Sequence, residues 1–298
     1  MKKLRKLAQA ITLGLAALPL AALATEGGKT AYPNGAEDFM VGAVPPPGDY
    51  IINYLLNYSA DQFNDGSGNN LIPGFDLNVW ADVIRWIHIT PAQVFGGNYG
   101  FHVFLPIVNV DVTVPGPPSS DKTGIGDIIF SPFVVAWHHS KNLHSVMSLV
   151  DIYAPTGSYD KNRLANTGLN YWTFEPVYAV SYLSDDGWEG SIKLMYDFNL
   201  ENPDTDYKSG QAFHFDYTVA KHFPGWALGV GGYYYTQTTD DSGPTAPPDG
   251  FKGKAFAVGP QVMFDVGKVK AIFKYQWETD TENQPQGNKF WFKLIVPL

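Results

Sequence analysis

Polar and apolar residues alternate with a period of two along many segments of this chain. In the segment 188–199, WEGSIKLMYDFN, one face carries mainly apolar side chains such as Trp188 and Ile192. The other face carries Glu189, Lys193 and Asp197. Since successive side chains of a strand point to opposite faces, such a segment forms a two-sided β-strand. A soluble β-sandwich would bury the apolar face, whereas an outer-membrane barrel would turn that face toward lipid and the polar face toward its lumen.

The first 24 residues have the pattern of a secretory signal peptide. Four basic residues between positions 2 and 6 precede a mainly apolar run over residues 7–23, which ends in the small-x-small pattern ALA at residues 22–24. We expect cleavage after Ala24 and export of the mature chain. Residues 25–48 then form an irregular, Pro-rich segment that is either a plug or a disordered tail.

Composition excludes several classes of protein. No apolar run after the signal peptide reaches the roughly 18 residues that a membrane helix needs. Cysteine is absent, which excludes disulfides and thiolate metal sites. Removing the four cations of the signal peptide leaves 16 basic residues against 29 acidic ones, a net charge of −13, so nucleic acid is not expected as a partner.

About twelve segments of the mature chain have strand-like alternation, and their connections alternate between short and long. Short turns on one side and long loops on the other are typical of outer-membrane barrels, with the short turns facing the periplasm. The fold class predicted for residues 49–298 is therefore an all-β, antiparallel transmembrane β-barrel of about 12 strands, with short periplasmic turns and long external loops. The predicted strands are 50–59, 77–89, 99–112, 125–137, 143–153, 171–183, 188–199, 211–223, 226–238, 254–266, 269–278 and 289–298.

Six stretches carry a family resemblance: NYGFHVFLPIVNVDV (98–112), GIGDIIFSPFVVAWHHSKNLH (124–144), DIYAPTGSYD (151–160), YDFNLENPDTDYKSGQAFHFDYTVAKHF (196–223), YYYTQTTDDSG (233–243) and AVGPQV (257–262). In this order they resemble the meta-pathway phenol-degradation family of exported, barrel-forming proteins. The resemblance implies a transporter-like barrel that passes small aromatic or hydrophobic compounds. It supplies no catalytic residues to carry over to this chain.

The polar faces of the predicted strands supply candidate lumen and solute-contact residues. The charged candidates are Glu189, Lys193, Asp197, His214, Asp216, Lys270 and Lys274. These residues either form a selective constriction or pair across strands and fill the lumen.

Aromatic side chains at positions predicted to face the lumen form a second set of candidates. They either stack on an aromatic solute or belong to the aromatic girdle of the barrel and to simple packing. The aromatic candidates are Trp80, Trp86, Tyr233, Tyr235 and Trp291.

The predicted function is a passive outer-membrane channel or uptake protein for small hydrophobic or aromatic compounds. Its predicted partners are those solutes, outer-membrane lipid and lipopolysaccharide, and the outer-membrane assembly machinery. We expect no cofactor, because the seven histidines form no compact metal-ligand motif. The alternatives are a non-transporting structural or loop-binding barrel and a barrel lipid hydrolase that uses His138 and Ser140. An enzyme is not favoured, since no GxSxG motif is present.

Overall fold

The computed structural model describes residues 28–116 and 118–298, and every described regular element is a β-strand. The predicted signal peptide and its cleavage site lie outside the described residues. Among the residues that are described, no helix is long and apolar enough to cross a membrane. The strands are β1 (Gly48–Phe63), β2 (Asp76–Val94), β3 (Gly97–Thr113), β4 (Ser120–Ile125), β5 (Ile128–His138), β6 (Leu143–Ala154), β7 (Thr173–Leu183), β8 (Trp188–Asn199), β9 (Ala212–Phe223), β10 (Trp226–Gln237), β11 (Lys254–Val266), β12 (Val269–Glu282) and β13 (Pro285–Pro297).

These strands close into one antiparallel barrel. Neighbours along the sheet run from β5 through β6 and onward to β13, which pairs with β1. Strand β1 pairs with β2, β2 pairs with β3, and β3 pairs with both β4 and β5. Because β4 and β5 are two segments of one broken wall strand, the wall has twelve strands. The predicted fold class is confirmed.

The break between β4 and β5 lies at Gly126 and Asp127, next to Pro106 of β3. The Gly126 amide donates to the Pro106 carbonyl over 2.9 Å. The connection from β6 to β7 covers the break, because the Gly157 and Leu169 amides donate to the Asp127 carboxylate over 2.9 and 2.7 Å. One side chain therefore fixes two points of a long loop to the gap in the wall.

One segment that the sequence predicts to be a long loop is strand over most of its length in the structure. Residues 279–288 were expected to form a loop, but β12 continues to Glu282 and β13 begins at Pro285. The polar run TDTENQPQGN has no alternation between apolar and polar residues, so periodicity could not identify it as strand. Only the pairing with neighbouring strands extends the wall there.

Strand β8 shows how the two faces of the wall are used. Glu189, Lys193 and Asp197 are buried inside the barrel, whereas Trp188 and Phe198 are 54% and 48% exposed on its outside. The polar face therefore lies in the lumen and the apolar face lies where lipid would surround the barrel.

Residues 28–48 run through the lumen. Gly48 begins β1 at the short-turn end, and Gly28 lies beside Asn283 at the opposite end. Along this N-terminal segment Tyr32, Ala36 and Phe39 are buried. The segment contains no described strand or helix before Gly48, so its backbone groups must find partners on the barrel wall.

Candidate functional site

Asp216 on β9 binds the N-terminal segment from one side of the lumen. Its carboxylate accepts hydrogen bonds from the Gly35 and Glu37 amides, both over 2.9 Å, and from the Tyr32 hydroxyl over 2.6 Å. Hydrogen bonds to a charged acceptor are worth about 1.5–3 kcal/mol each. Gly35 has a φ of +85°, a backbone conformation that favours glycine, and an added Cβ there would collide with Gln276 and Tyr233.

Three lysines of β12 and β13 bind the same segment. Lys274 donates to the Gly35 and Ala36 carbonyls over 2.6 Å each and to the Glu37 carbonyl over 3.0 Å. Lys293 forms ion pairs with Glu37 at 3.2 Å and with Asp38 at 2.7 Å. The third, Lys289, donates to the Asn34 carbonyl over 3.0 Å. Lys274 and Lys289 thus satisfy carbonyls that have no strand partner, and Lys293 neutralises two carboxylates of the segment.

The opposite wall adds further contacts. Arg85 of β2 forms a 3.2 Å ion pair with Glu37, whose carboxylate also accepts a hydrogen bond from the Tyr54 hydroxyl over 3.2 Å. Toward the short-turn end the Met40 amide donates to Glu189 over 2.6 Å. The N-terminal segment is therefore tied to both sides of the lumen.

A cavity of about 500 Å³ lies beside the segment at the short-turn end. Charged residues such as Arg85, Lys270 and Lys293 reach its edge, but most of its lining is apolar. A volume of this size is in the range of small-molecule pockets. Its apolar lining includes Ile87, Val134, Val177, Ala179, Met263 and Ile295.

Two smaller cavities continue along the lumen. One of about 250 Å³ is lined by Tyr54, Phe104 and Trp291, and it shares Glu37 with the larger cavity. Another of about 290 Å³ lies toward the long loops and shares Leu56 and Pro33 with the second. The three cavities form a row along the N-terminal segment, which separates them.

The sequence of the chain identifies its family. The profile of the family described as "Putative MetA-pathway of phenol degradation" matches residues 60–294. The chain belongs to this family. No curated protein matches the chain significantly.

Several solved structures match this chain to different degrees. A COG4313 outer membrane channel from Pseudomonas putida F1 is 15% identical, with a TM-score of 0.77, over 88% of this chain and 99% of that one. The CymD monoaromatic hydrocarbon channel is 9% identical, with a TM-score of 0.42, over 85% and 89% of the two chains. The Bordetella autotransporter BrkA β domain is 10% identical, with a TM-score of 0.49, over 84% and 100%. The COG4313 channel shows that this family member has the fold of an outer-membrane channel.

Most residues that the sequence assigned to the lumen lie there. Lys270 also points inward, but it lies at the mouth, where it pairs with Asp265 and is nearly half exposed. Whether any of these residues contacts a solute stays a prediction. The buried ones are Glu189, Lys193, Asp197, His214, Asp216, Tyr233, Tyr235, Lys274 and Trp291.

The predicted lumen position of Trp80 and Trp86 is wrong. Both side chains lie on the outside of β2, with exposures of 55% and 36%. Asp82 shares their outward face. On β2 the inner face is instead mainly apolar, with Arg85 as its cation. The two tryptophans therefore belong to the outer aromatic surface.

Sequence reasoning missed several charged residues of the lumen, including Asp151 of β6. Glu37 and Asp38 fall in a segment without periodicity, so nothing local indicated that they are buried. Arg85 was assigned to the wrong face, as described for β2. Glu175 is the single charged residue of β7, and a lone carboxylate in an apolar strand is a signal that could have identified it.

The geometry expected of a lipid hydrolase is not assembled at His138 and Ser140. The His138 ring faces the His144 ring, with 2.8 Å between their Nδ1 atoms. The Ser140 hydroxyl oxygen accepts hydrogen bonds from the amides of Asn142 and Leu143 in the turn, over 3.2 and 3.1 Å. The Ser140 hydroxyl therefore stabilises the turn. A catalytic nucleophile would instead have to contact its general base.

Proposed function

We propose that this family member is a passive outer-membrane channel for small hydrophobic or aromatic compounds. The observation that supports the proposal is that the charged and the apolar side chains of the lumen have different roles. Asp216, Lys274 and Lys293 bind the N-terminal segment, while the free volume beside that segment is lined mainly by apolar side chains. A solute that enters this volume gains from leaving water and meets few unpaired charges.

The arrangement disfavours hydrophilic ions as the transported class. A permeating ion would have to replace its water with polar groups, and the lining of the 500 Å³ cavity is mainly apolar. An apolar compound needs only shape and surface, at about 25 cal/mol per Å² of apolar area removed from water. Nothing in the described part of the chain indicates an energy source for transport, so we propose that the flux of solute follows its concentration gradient. Family membership and the channel fold support the same proposal.

The test is uptake of labelled phenol and labelled toluene by cells that contain or lack the protein. We expect faster initial uptake with the protein, in proportion to the external concentration. Val177→Trp, which places a large side chain in the 500 Å³ cavity, should reduce the rate severalfold. The matched control is Val219→Trp, because Val219 is 58% exposed on the outer face of β9. Equal rates for the two variants would contradict a route through this cavity.

A non-transporting barrel is the second candidate, and one observation favours it. The N-terminal segment divides the lumen into separate cavities, so a segment that never moves would block passage. Such a barrel would give unchanged uptake of both solutes despite correct insertion into the outer membrane. The same uptake experiment therefore separates the two candidates.

A further inference from the structure

Three ligand-type side chains converge at one place on the lumen wall. Thr173 pairs with Asn199 and Val177 with Met195, which places Glu175 of β7 opposite Asp197 of β8. Met195 pairs with His214 of β9, so His214 is a diagonal neighbour of Asp197 on the same face. Direct and diagonal cross-strand neighbours on one face lie within side-chain reach. The strand register thus brings two carboxylates and an imidazole together.

The distances from His214 to the two carboxylates are those of neighbouring ligands in a metal site. The His214 Nε2 atom lies 3.3 Å from Glu175 Oε2 and 3.3 Å from Asp197 Oδ2. One potential ligand atom from each residue lies within 4.8 Å of the other two. Tetrahedral zinc with nitrogen and oxygen ligands at about 2.0–2.2 Å separates neighbouring ligand atoms by about 3.3–3.5 Å. The two separations from His214 Nε2 match this edge.

Hydrogen bonding does not account for the arrangement. Neither 3.3 Å contact has the geometry of a hydrogen bond, and both ring nitrogens of His214 lack a hydrogen-bond partner. Glu175 Oε1 and Asp197 Oδ1 also lack one. The side chains of Glu175 and His214 have no exposed surface, and that of Asp197 is 2% exposed. Buried polar groups are normally paired, so four unpaired atoms at one place point to a missing ligand.

Charge and surroundings also favour a divalent cation. A metal-bound imidazole is neutral, so this ligand set would carry the two negative charges of its carboxylates, and a divalent ion would neutralise both. The Tyr153 hydroxyl donates to Glu175 Oε2 over 3.1 Å, which orients that carboxylate from outside the cluster. A small cavity of about 10 Å³ at the long-loop end is lined by Asp197 and Tyr235, and it is large enough for about one water.

We propose that Glu175, Asp197 and His214 bind one zinc ion, which joins β7, β8 and β9 on the inside of the barrel. A water molecule would take the fourth position of the ion. An imidazole and two carboxylates suit zinc better than calcium or magnesium, which prefer oxygen ligands alone. The role is structural, since three wall strands are fixed to one ion. The proposal is independent of transport through the lumen, and it departs from the expectation of no metal that the sequence motifs gave.

The test measures zinc bound to the purified barrel. The protein is treated with EDTA, dialysed against Zn²⁺, freed of unbound metal and analysed by plasma mass spectrometry. We expect about one zinc per chain for the parent and background levels for Glu175→Gln and His214→Gln. The matched control is His144→Gln, which removes half of the exposed histidine pair at the β5–β6 turn and should keep its zinc.

Cobalt gives a second readout that does not depend on the variants. The parent loaded with Co²⁺ should show the intense visible bands of a tetrahedral ion, and Glu175→Gln should lack them while keeping the heat-modifiable gel migration of a folded barrel. No zinc above background in the parent would overturn the proposal and leave an imidazolium between two carboxylates. Equal loss of zinc from His144→Gln would also overturn it, because the metal would then sit on the turn.

Discussion

Replacing Asp216 by Ala should release the N-terminal segment from the barrel wall. The change removes the acceptor of three hydrogen bonds and leaves the Gly35 and Glu37 amides unpaired. At about 1.5–3 kcal/mol each, the three bonds set an upper range of about 4.5–9 kcal/mol. Water that enters the site replaces part of the lost hydrogen-bond free energy. Removing one partner from a buried charged network typically costs about 3–5 kcal/mol. Taking about 3 kcal/mol, the released population should rise about 150-fold.

The chain contains no cysteine, so a single reporter thiol measures this release. Ala36 is only 6% exposed, and a thiol introduced as Ala36→Cys should react slowly with a water-soluble maleimide. Adding Asp216→Ala should raise the labelling rate about 150-fold, in step with the released population, and increase the open fraction in planar bilayers. Asp185→Asn is the matched control, because Asp185 pairs with Lys141 at an exposed turn. A rate change below about threefold would refute the role of Asp216 in holding the segment.

Two further predictions concern the wall. Trp80→Ala combined with Trp86→Ala should leave solute uptake unchanged, because both side chains lie outside the barrel, and a severalfold loss of uptake would contradict that placement. Asp127→Ala should leave the Gly157 and Leu169 amides without their acceptor, at about 1–3 kcal/mol for each. The covering loop should then be cleaved faster by an added protease in intact cells, and unchanged cleavage would show that Asp127 does not fix it.

The N-terminal segment determines what the charged residues of the lumen contact. From the sequence they formed either a selective constriction or a set of pairs across strands. In the fold, Lys274 and Lys293 contact backbone carbonyls and carboxylates of residues 35–38, which belong to no strand. The charges therefore organise an internal segment, and the space that remains is more apolar than the composition of the strands suggests. This is the physical basis for expecting hydrophobic solutes.

Periodicity, together with the alternation of short and long connections, was enough to predict the closed wall, and periodicity placed most of the charged candidates on its inner face. Strand alternation is a local property, since two successive residues of a strand always point to opposite faces of the sheet. It therefore placed Glu189, Lys193 and Asp197 inside without any knowledge of their partners. It failed at β2, where both faces are partly apolar, and in residues 279–288, where both are polar.

Contacts between distant residues were decided only by the tertiary structure. Tyr32 and Asp216 are 184 positions apart, and nothing near either residue in the sequence indicates that they meet. Glu175, Asp197 and His214 likewise converge only because three neighbouring strands adopt a particular register. Side-chain alternation determines the face of a residue, whereas register and the course of an irregular segment determine its neighbours. The sequence by itself thus determined a charged lumen inside an apolar wall. Only the closed barrel determined which groups those charged residues contact.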